Sequence, residues 1–259
     1  MSARPSGRGP TAFGRGSRPS GSGPRRVWSD PRPSWSGRRE AAIGLSTYAL
    51  YLLVRRAVLA RDGERRALAN ARRVEALERR LGIAVEPAVQ AALVHRRATV
   101  VALDVAYVTL NVVLTVGRLW QLHRRRDPAF HRLRRAAVLV TLGAQPAFLM
   151  LPTAPPRRLD GIVDTAARSL PVSLDHGVVV RLYNPIAAMP SIHMAYAVVT
   201  AAAIAGHAAG GPARAAAVAY PAGVLVMILA TGNHFVLDAA AGVALAAAAL
   251  RAAQRRPGP

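Results

Sequence analysis

Six apolar stretches, at residues 41–60, 98–120, 133–151, 189–206, 213–231 and 236–252, dominate this sequence. Each approaches the ~20 consecutive apolar residues that carry a helix across a bilayer. A segment in lipid must also satisfy its backbone N–H and C=O groups internally, which leaves helices as the solution for runs of this length. The fold class that follows is all-α, a polytopic membrane helical bundle of about six transmembrane helices. Arg55 and Arg56 interrupt the first stretch and can snorkel to the interface. The sixth is short and Ala-rich, so it packs through small residues rather than facing lipid all round.

The rest of the chain arranges itself around these spans. Residues 1–39, rich in Arg, Gly, Ser and Pro, cannot bury a core and are expected to form a disordered tail. They lack the short apolar run and cleavage site of a secretory signal. Residues 40–252 form the membrane domain, and 253–259 a short basic end. Between the first two spans, Leu68, Ala71, Leu77 and Leu81 recur at helical spacing, with Asp62/Arg66 and Glu75/Arg79 as i,i+4 pairs. This predicts an amphipathic helix over 62–81 within a membrane-surface region, 62–97. Pro87 suits the first turn of a further helix.

Charge sets the orientation. All 35 basic residues are arginine, against 13 acidic ones, and the formal net charge is +22. The cytoplasmic excess of basic residues in membrane proteins accounts for this basicity without nucleic acid, and no nucleic-acid partner is expected. With the N-terminus inside, the tail, the Arg124–Arg135 loop, Arg214 and Arg255/Arg256 are all cytoplasmic. The Arg-rich stretch 61–97 is the exception. The chain has no cysteine, which excludes disulfides, a cysteine zinc site and a thiol nucleophile.

In this topology three polar strings end hydrophobic runs on the extracytoplasmic side: Pro152 to Arg157, Pro190 to His193 and Gly232 to Asp238. Ionisable groups at membrane depth are costly and mark function. His234 and Asp238 are four apart and share a helical face. The carboxylate can fix the imidazole tautomer and leave the other nitrogen nucleophilic. His193 follows Pro190 at a helix start, where the Ser191 hydroxyl and free N–H groups suit an anionic oxygen. Arg157 or Arg158 supplies a planar donor fork for phosphate. Nucleophile, orienting Asp, general acid and arginine clamp together suffice for phosphoryl transfer through a phosphohistidine.

Blander readings stand beside this one. His-x-x-x-Asp can be a helix-stabilising pair or half a metal site, but a zinc centre would need three or four ligands, with only Asp160, Asp164, Asp175 and His176 spare. No metal or cofactor is expected. His95, His123, His131 and His207 are expected to face solvent or headgroups. Asp104 is either a partner for a bundle arginine or a substrate-site residue.

At these residues the chain resembles the type 2 phosphatidic acid phosphatase superfamily of membrane lipid phosphatases and phosphotransferases. It is most similar to the inositol phosphorylceramide synthase-like branch. Asn184-Pro-Ile-Ala-Ala-Met-Pro-Ser-Ile-His193 and Thr231-Gly-Asn-His-Phe-Val-Leu-Asp238 carry the likeness, with Pro152 to Arg157 as a first motif, over about residues 40–250. The resemblance implies a six-helix bundle with an extracytoplasmic site and a lipid phosphate substrate. It implies His234 as nucleophile, Asp238 as its support and His193 as acid and then base, with Arg157, Ser191 and Asn233 holding phosphate oxygens and no metal. Departures from the wider pattern are Ile192 for the usual glycine, Met227 and Ile228 for a Ser-Arg pair, and a first motif without its usual lysine. They match the phosphorylceramide branch; Arg158 can compensate for one lost cation. A simple lipid phosphate phosphatase is the alternative, and a non-catalytic membrane protein the bland one.

Overall fold

The computed structural model describes residues 35–60, 62–169, 184–208 and 210–254. The expected tail up to residue 34, the end from 255, Asp175 and His176 lie outside the described residues. Nine α-helices occur among those described: α1 Gly37–Leu59, α2 Gly63–Leu81, α3 Glu86–Leu93, α4 Arg97–Arg124, α5 Ala129–Met150, α6 Thr165–Ser169, α7 Ile192–Ala205, α8 Gly211–Ala230 and α9 Val236–Gln254. No strand occurs among them, only an isolated parallel bridge between Thr153 and Ala187.

The all-α membrane bundle is therefore present. Four helices, α1, α4, α8 and α9, are long and apolar enough to cross a membrane. Two of the six expected spans differ. In α5 the arginines at 132, 134 and 135 crowd the first two turns. Helix α7 has 14 residues, or ~21 Å at ~1.5 Å per residue, because its first turn begins only after the Pro190–Ser191 turn.

Helices α5, α7 and α9 form the centre. Ala136 and Val140 of α5, Ala195 and Val199 of α7, and Ala246 and Ala249 of α9 are buried together. Small side chains let the backbones approach closely, which is how helices associate without a hydrophobic drive from lipid. The tightest point is Gly242: a Cβ there would lie 2.4 Å from the Ser191 carbonyl oxygen. Gly242→Ala must push α9 off the start of α7. We expect it to cost about 1–3 kcal/mol, read as a lower thermal unfolding midpoint.

Helix α2 differs in its apolar face from the sequence reading. Ala67, Ala71, Val74 and Glu78 are buried, whereas Leu77 and Leu81 are exposed. The Glu75–Arg79 pair forms at 2.6 Å, but Asp62 pairs with Arg65, and Arg66 donates to the Met150 carbonyl. Gly82, with φ +70°, closes the helix as the Ile83 N–H reaches the Glu78 carbonyl; a left-handed residue there is the usual helix stop.

Candidate active site

The three polar strings meet at one end of the bundle, where α5 and α8 finish and α7 and α9 begin. Backbone hydrogen bonds knit them. The Thr153 N–H donates to Ile186 O at 3.0 Å and the Ala188 N–H to Thr153 O at 2.9 Å, joining the first string to the segment before α7. The Arg157 N–H donates to Gly232 O at 2.8 Å, joining the first string to the third. Gly232 has φ +65°, and a Cβ on it would meet Ile162 at 2.8 Å and Arg157 at 3.2 Å; only glycine fits this crossing.

Within this frame His234 is almost wholly buried. Its Nδ1 lies 3.0 Å from the Ala188 carbonyl oxygen and 3.5 Å from Asp238 Oδ2. A carbonyl only accepts, so Nδ1 carries the hydrogen and Nε2 keeps its lone pair. Nε2 is buried without a hydrogen-bond partner on a residue that lines a cavity of about 710 Å³. The tautomer is thus fixed mainly by a backbone carbonyl, where the sequence suggested the carboxylate. Asp238 sits behind the ring, wholly buried, and its Oδ2 accepts the Phe235 N–H at 2.9 Å.

His193 faces the same cavity, its ring centroid 5.7 Å from that of His234. Its Nε2 donates to the Tyr107 carbonyl at 3.2 Å, and its ring stacks on Tyr107 at 4.2 Å. By the same argument its Nδ1 is the nitrogen left to exchange a proton. Asn111 holds the His193 carbonyl at 3.0 Å and accepts from the Tyr220 hydroxyl.

Arg157 is buried and lines the cavity with Asn233 and the two histidines. Its Nε donates to Asn233 Oδ1 at 3.0 Å, and it lies 3.6 Å from Asp164. The remaining sequence candidates fall outside this group. Arg158 pairs with Glu64 of α2 at 2.7 Å and does not line the cavity. Ser191 is fully buried, its hydroxyl oxygen capping α7 by accepting the Met194 N–H at 3.2 Å. Asp104 accepts from Thr165 at 2.8 Å and so ties α4 to α6. Among the described residues no three His, Cys, Asp or Glu side chains converge on a metal position.

Sequence reasoning missed Glu78 and Glu86. At the start of α9, three successive N–H groups each meet a carboxylate from a different helix. Phe235 donates to Asp238, Val236 to Glu86 Oε1 at 2.9 Å, and Leu237 to Glu78 Oε1 at 2.6 Å. These are groups a helix start leaves unpaired, at its positive dipole end. The signal was present: Ala67, Ala71 and Val74 run at helical spacing directly into Glu78, an acid on an apolar stripe.

Burial, reinforced by the neighbouring Glu86 and Asp238, pushes the Glu78 carboxyl up to about 8 against the opposing pull of the Leu237 N–H. The folded state then holds this proton more tightly than the unfolded chain. Its stabilisation is full below the ordinary value of 4.5 and is lost as pH rises through about 8. Thermal unfolding measured against pH should show that decline, and Glu78→Gln should flatten it. An unchanged slope in the variant would rule out this origin.

Two other histidines also differ from expectation. His123 and His131 are half-buried, and Trp35 packs on both, at 5.8 and 4.8 Å between ring centroids. His95 and His207 are exposed as expected, although His207 also pairs with Asp127 at 2.9 Å.

The fold and site define an α-helical integral-membrane protein with two histidines and an arginine at one end of an apolar cavity. The chain belongs to the PAP2 superfamily, whose family model matches residues 72–252. Members of that superfamily are phosphatases and phosphotransferases of lipid phosphates, and a phosphatase-type activity on a lipid phosphate follows for this chain. No curated protein and no solved structure matches it.

Proposed function

We propose that the chain cleaves or transfers a lipid-linked phosphate through a phosphohistidine on His234. The observation that carries this is the His234 ring: Nδ1–H is held by a carbonyl, and Nε2 is unpartnered beside the cavity. Nε2 attacks phosphorus as the bond to the lipid oxygen breaks, and His193 Nδ1 gives that oxygen its proton. His193 then takes the proton of an incoming water or alcohol, whose oxygen attacks phosphorus and releases His234. Asp238 offsets the positive charge that builds on the His234 ring. Arg157 and Asn233 hold phosphate oxygens, with the guanidinium countering charge that grows in the transition state.

Transfer to an alcohol acceptor, in the manner of the inositol phosphorylceramide synthase-like branch, is the finer reading. It is supported by buried Met227 and Ile228 where the wider superfamily carries a second phosphate-binding arginine. An extracytoplasmic site is supported by the arginines of the α4–α5 connection, at the opposite end of the bundle from the histidines. Membranes containing the chain, supplied with labelled lipid phosphates with and without an inositol-type acceptor, test the chemistry. A new labelled lipid means transfer, and free phosphate alone means hydrolysis. Neither product, with His234→Ala matching wild type, would overturn the proposal.

A further inference from the structure

The cavity that serves the histidines is far longer than a phosphate needs. Along α4 it is lined by Tyr107, Asn111, Thr115, Leu119 and His123, one face of the helix at four-residue steps. Sixteen residues at ~1.5 Å each give ~24 Å, against ~15 Å for one leaflet of a ~30 Å hydrocarbon core. Helix α1 forms the other wall, from Tyr51 near the site to Gly37 at the far end, and packs mainly on α5 rather than on α4.

Polar side chains in these walls are mostly turned to one another. Thr47 donates to the Ile43 carbonyl at 2.7 Å, Thr115 bonds Thr200 at 2.8 Å, and Thr141 bonds Tyr196 at 2.6 Å. What they leave facing the cavity is hydrocarbon, which suits an alkyl or prenyl chain and no polar ligand.

At the far end the lining turns from apolar to charged. Arg134 of α5 reaches both carboxylate oxygens of Glu40 on α1, at 3.0 and 3.1 Å, and the two side chains are only 19% and 14% exposed. Beside them Phe130 packs on His123 at 5.0 Å and on Trp35 at 5.8 Å. A methyl terminus cannot displace a paired, largely buried charge without stranding one of the partners. Midway along this Gly37–Tyr51 wall is Gly44, which lines the cavity and would carry a Cβ into open space.

We propose that this cavity is a tail tunnel of fixed length: it holds one hydrocarbon chain of the substrate end-on from the histidines, and the Glu40–Arg134 pair is its floor. The proposal rests on the lipid-phosphate reading of the site. A chain drawn from a bilayer gains little by entering another apolar space, because lipid tails are as apolar as the tunnel wall. Selection is therefore steric. Tails up to the floor are accepted alike, and longer ones are refused.

The test uses the full chain in lipid nanodiscs with octyl, dodecyl, hexadecyl and icosyl phosphate. Wild type should show a sharp upper limit of tail length in kcat/KM. Gly44→Phe should move that limit to shorter tails, with a loss of about tenfold or more for the long ones. Octyl phosphate should stay within about threefold, because a Cβ at this position has no neighbour within 4 Å and a residue other than glycine favours helix. The double change Glu40→Leu with Arg134→Met removes both charges together and should admit tails that wild type refuses.

A second arm does not depend on turnover: a hexadecyl phosphonate with a terminal diazirine, photolysed in the bound state. Crosslinks at Leu119, His123, Phe130 or Gly37 support the tunnel. Crosslinks confined to the outward faces of α1 and α4, at Leu45, Leu53, Val108 or Val113, overturn it. Turnover that ignores tail length, or that Gly44→Phe lowers equally at every length, also overturns it while the catalytic reading stands. Far-end crosslinks without any turnover would leave the tunnel standing and sink the catalytic reading.

Discussion

Replacing His234 by alanine is expected to lower turnover of a lipid phosphate by about 10⁴-fold or more, the scale on which loss of a covalent nucleophile is felt. The cost falls on chemistry because the ring is held without support from anything the fold depends on. Its Nδ1 bonds a loop carbonyl, and its Nε2 bonds nothing. The thermal unfolding midpoint should therefore stay close to that of wild type while phosphate release disappears. Asp238 is a contrasting case. It also accepts the Phe235 N–H at the start of α9, so Asp238→Ala should lose stability together with activity.

His193→Ala should lower turnover of an alkyl phosphate by about 10²–10⁴-fold, the usual contribution of a positioned proton donor. That loss has an internal check. The first step needs His193 only where the leaving oxygen is basic. With a nitrophenyl phosphate ester, whose leaving group departs without a proton, formation of the phosphoenzyme should survive in the variant. Its breakdown still needs a base to activate water, so the intermediate should accumulate. A uniform loss across both leaving groups would instead assign His193 to positioning through its stack on Tyr107.

The parts of this molecule that were legible in the sequence are those written locally. Apolar length gave the helices, and a charged residue at the end of an apolar run costs enough to mark itself, which is why His193, His234, Asp238 and Arg157 stood out. The rest depended on what a side chain meets across the fold. Arg157 and Arg158 are equivalent as neighbours in sequence, yet the short 3-10 turn at Pro156–Arg158 sends one to Asn233 and the other to Glu64. Ser191 has the right chemistry for an anion but is spent on capping α7.

Glu78 and Glu86 carry no local mark of what they bond. Their partners, the first N–H groups of α9, lie about 150 residues further along the chain. Leu77 and Leu81 pointed to an apolar face that the packing of α2 does not use. His123 and His131, in a basic loop context, gave no sign of the Trp35 cluster that buries them. The length of the cavity is a property of how α1 stands off from α4, which no single segment encodes.

The most direct measurement of the central claim is trapping of the phosphoenzyme by an alkaline quench. Wild type and His193→Ala, mixed with a radiolabelled nitrophenyl phosphate ester and digested after quenching at alkaline pH, should carry label that is stable to base and labile to acid. That label should sit on the peptide containing His234, be greater in His193→Ala, and be absent in His234→Ala. Label on Ser191 or another residue, or turnover in wild type with no trapped label and undiminished in His234→Ala, would contradict the account.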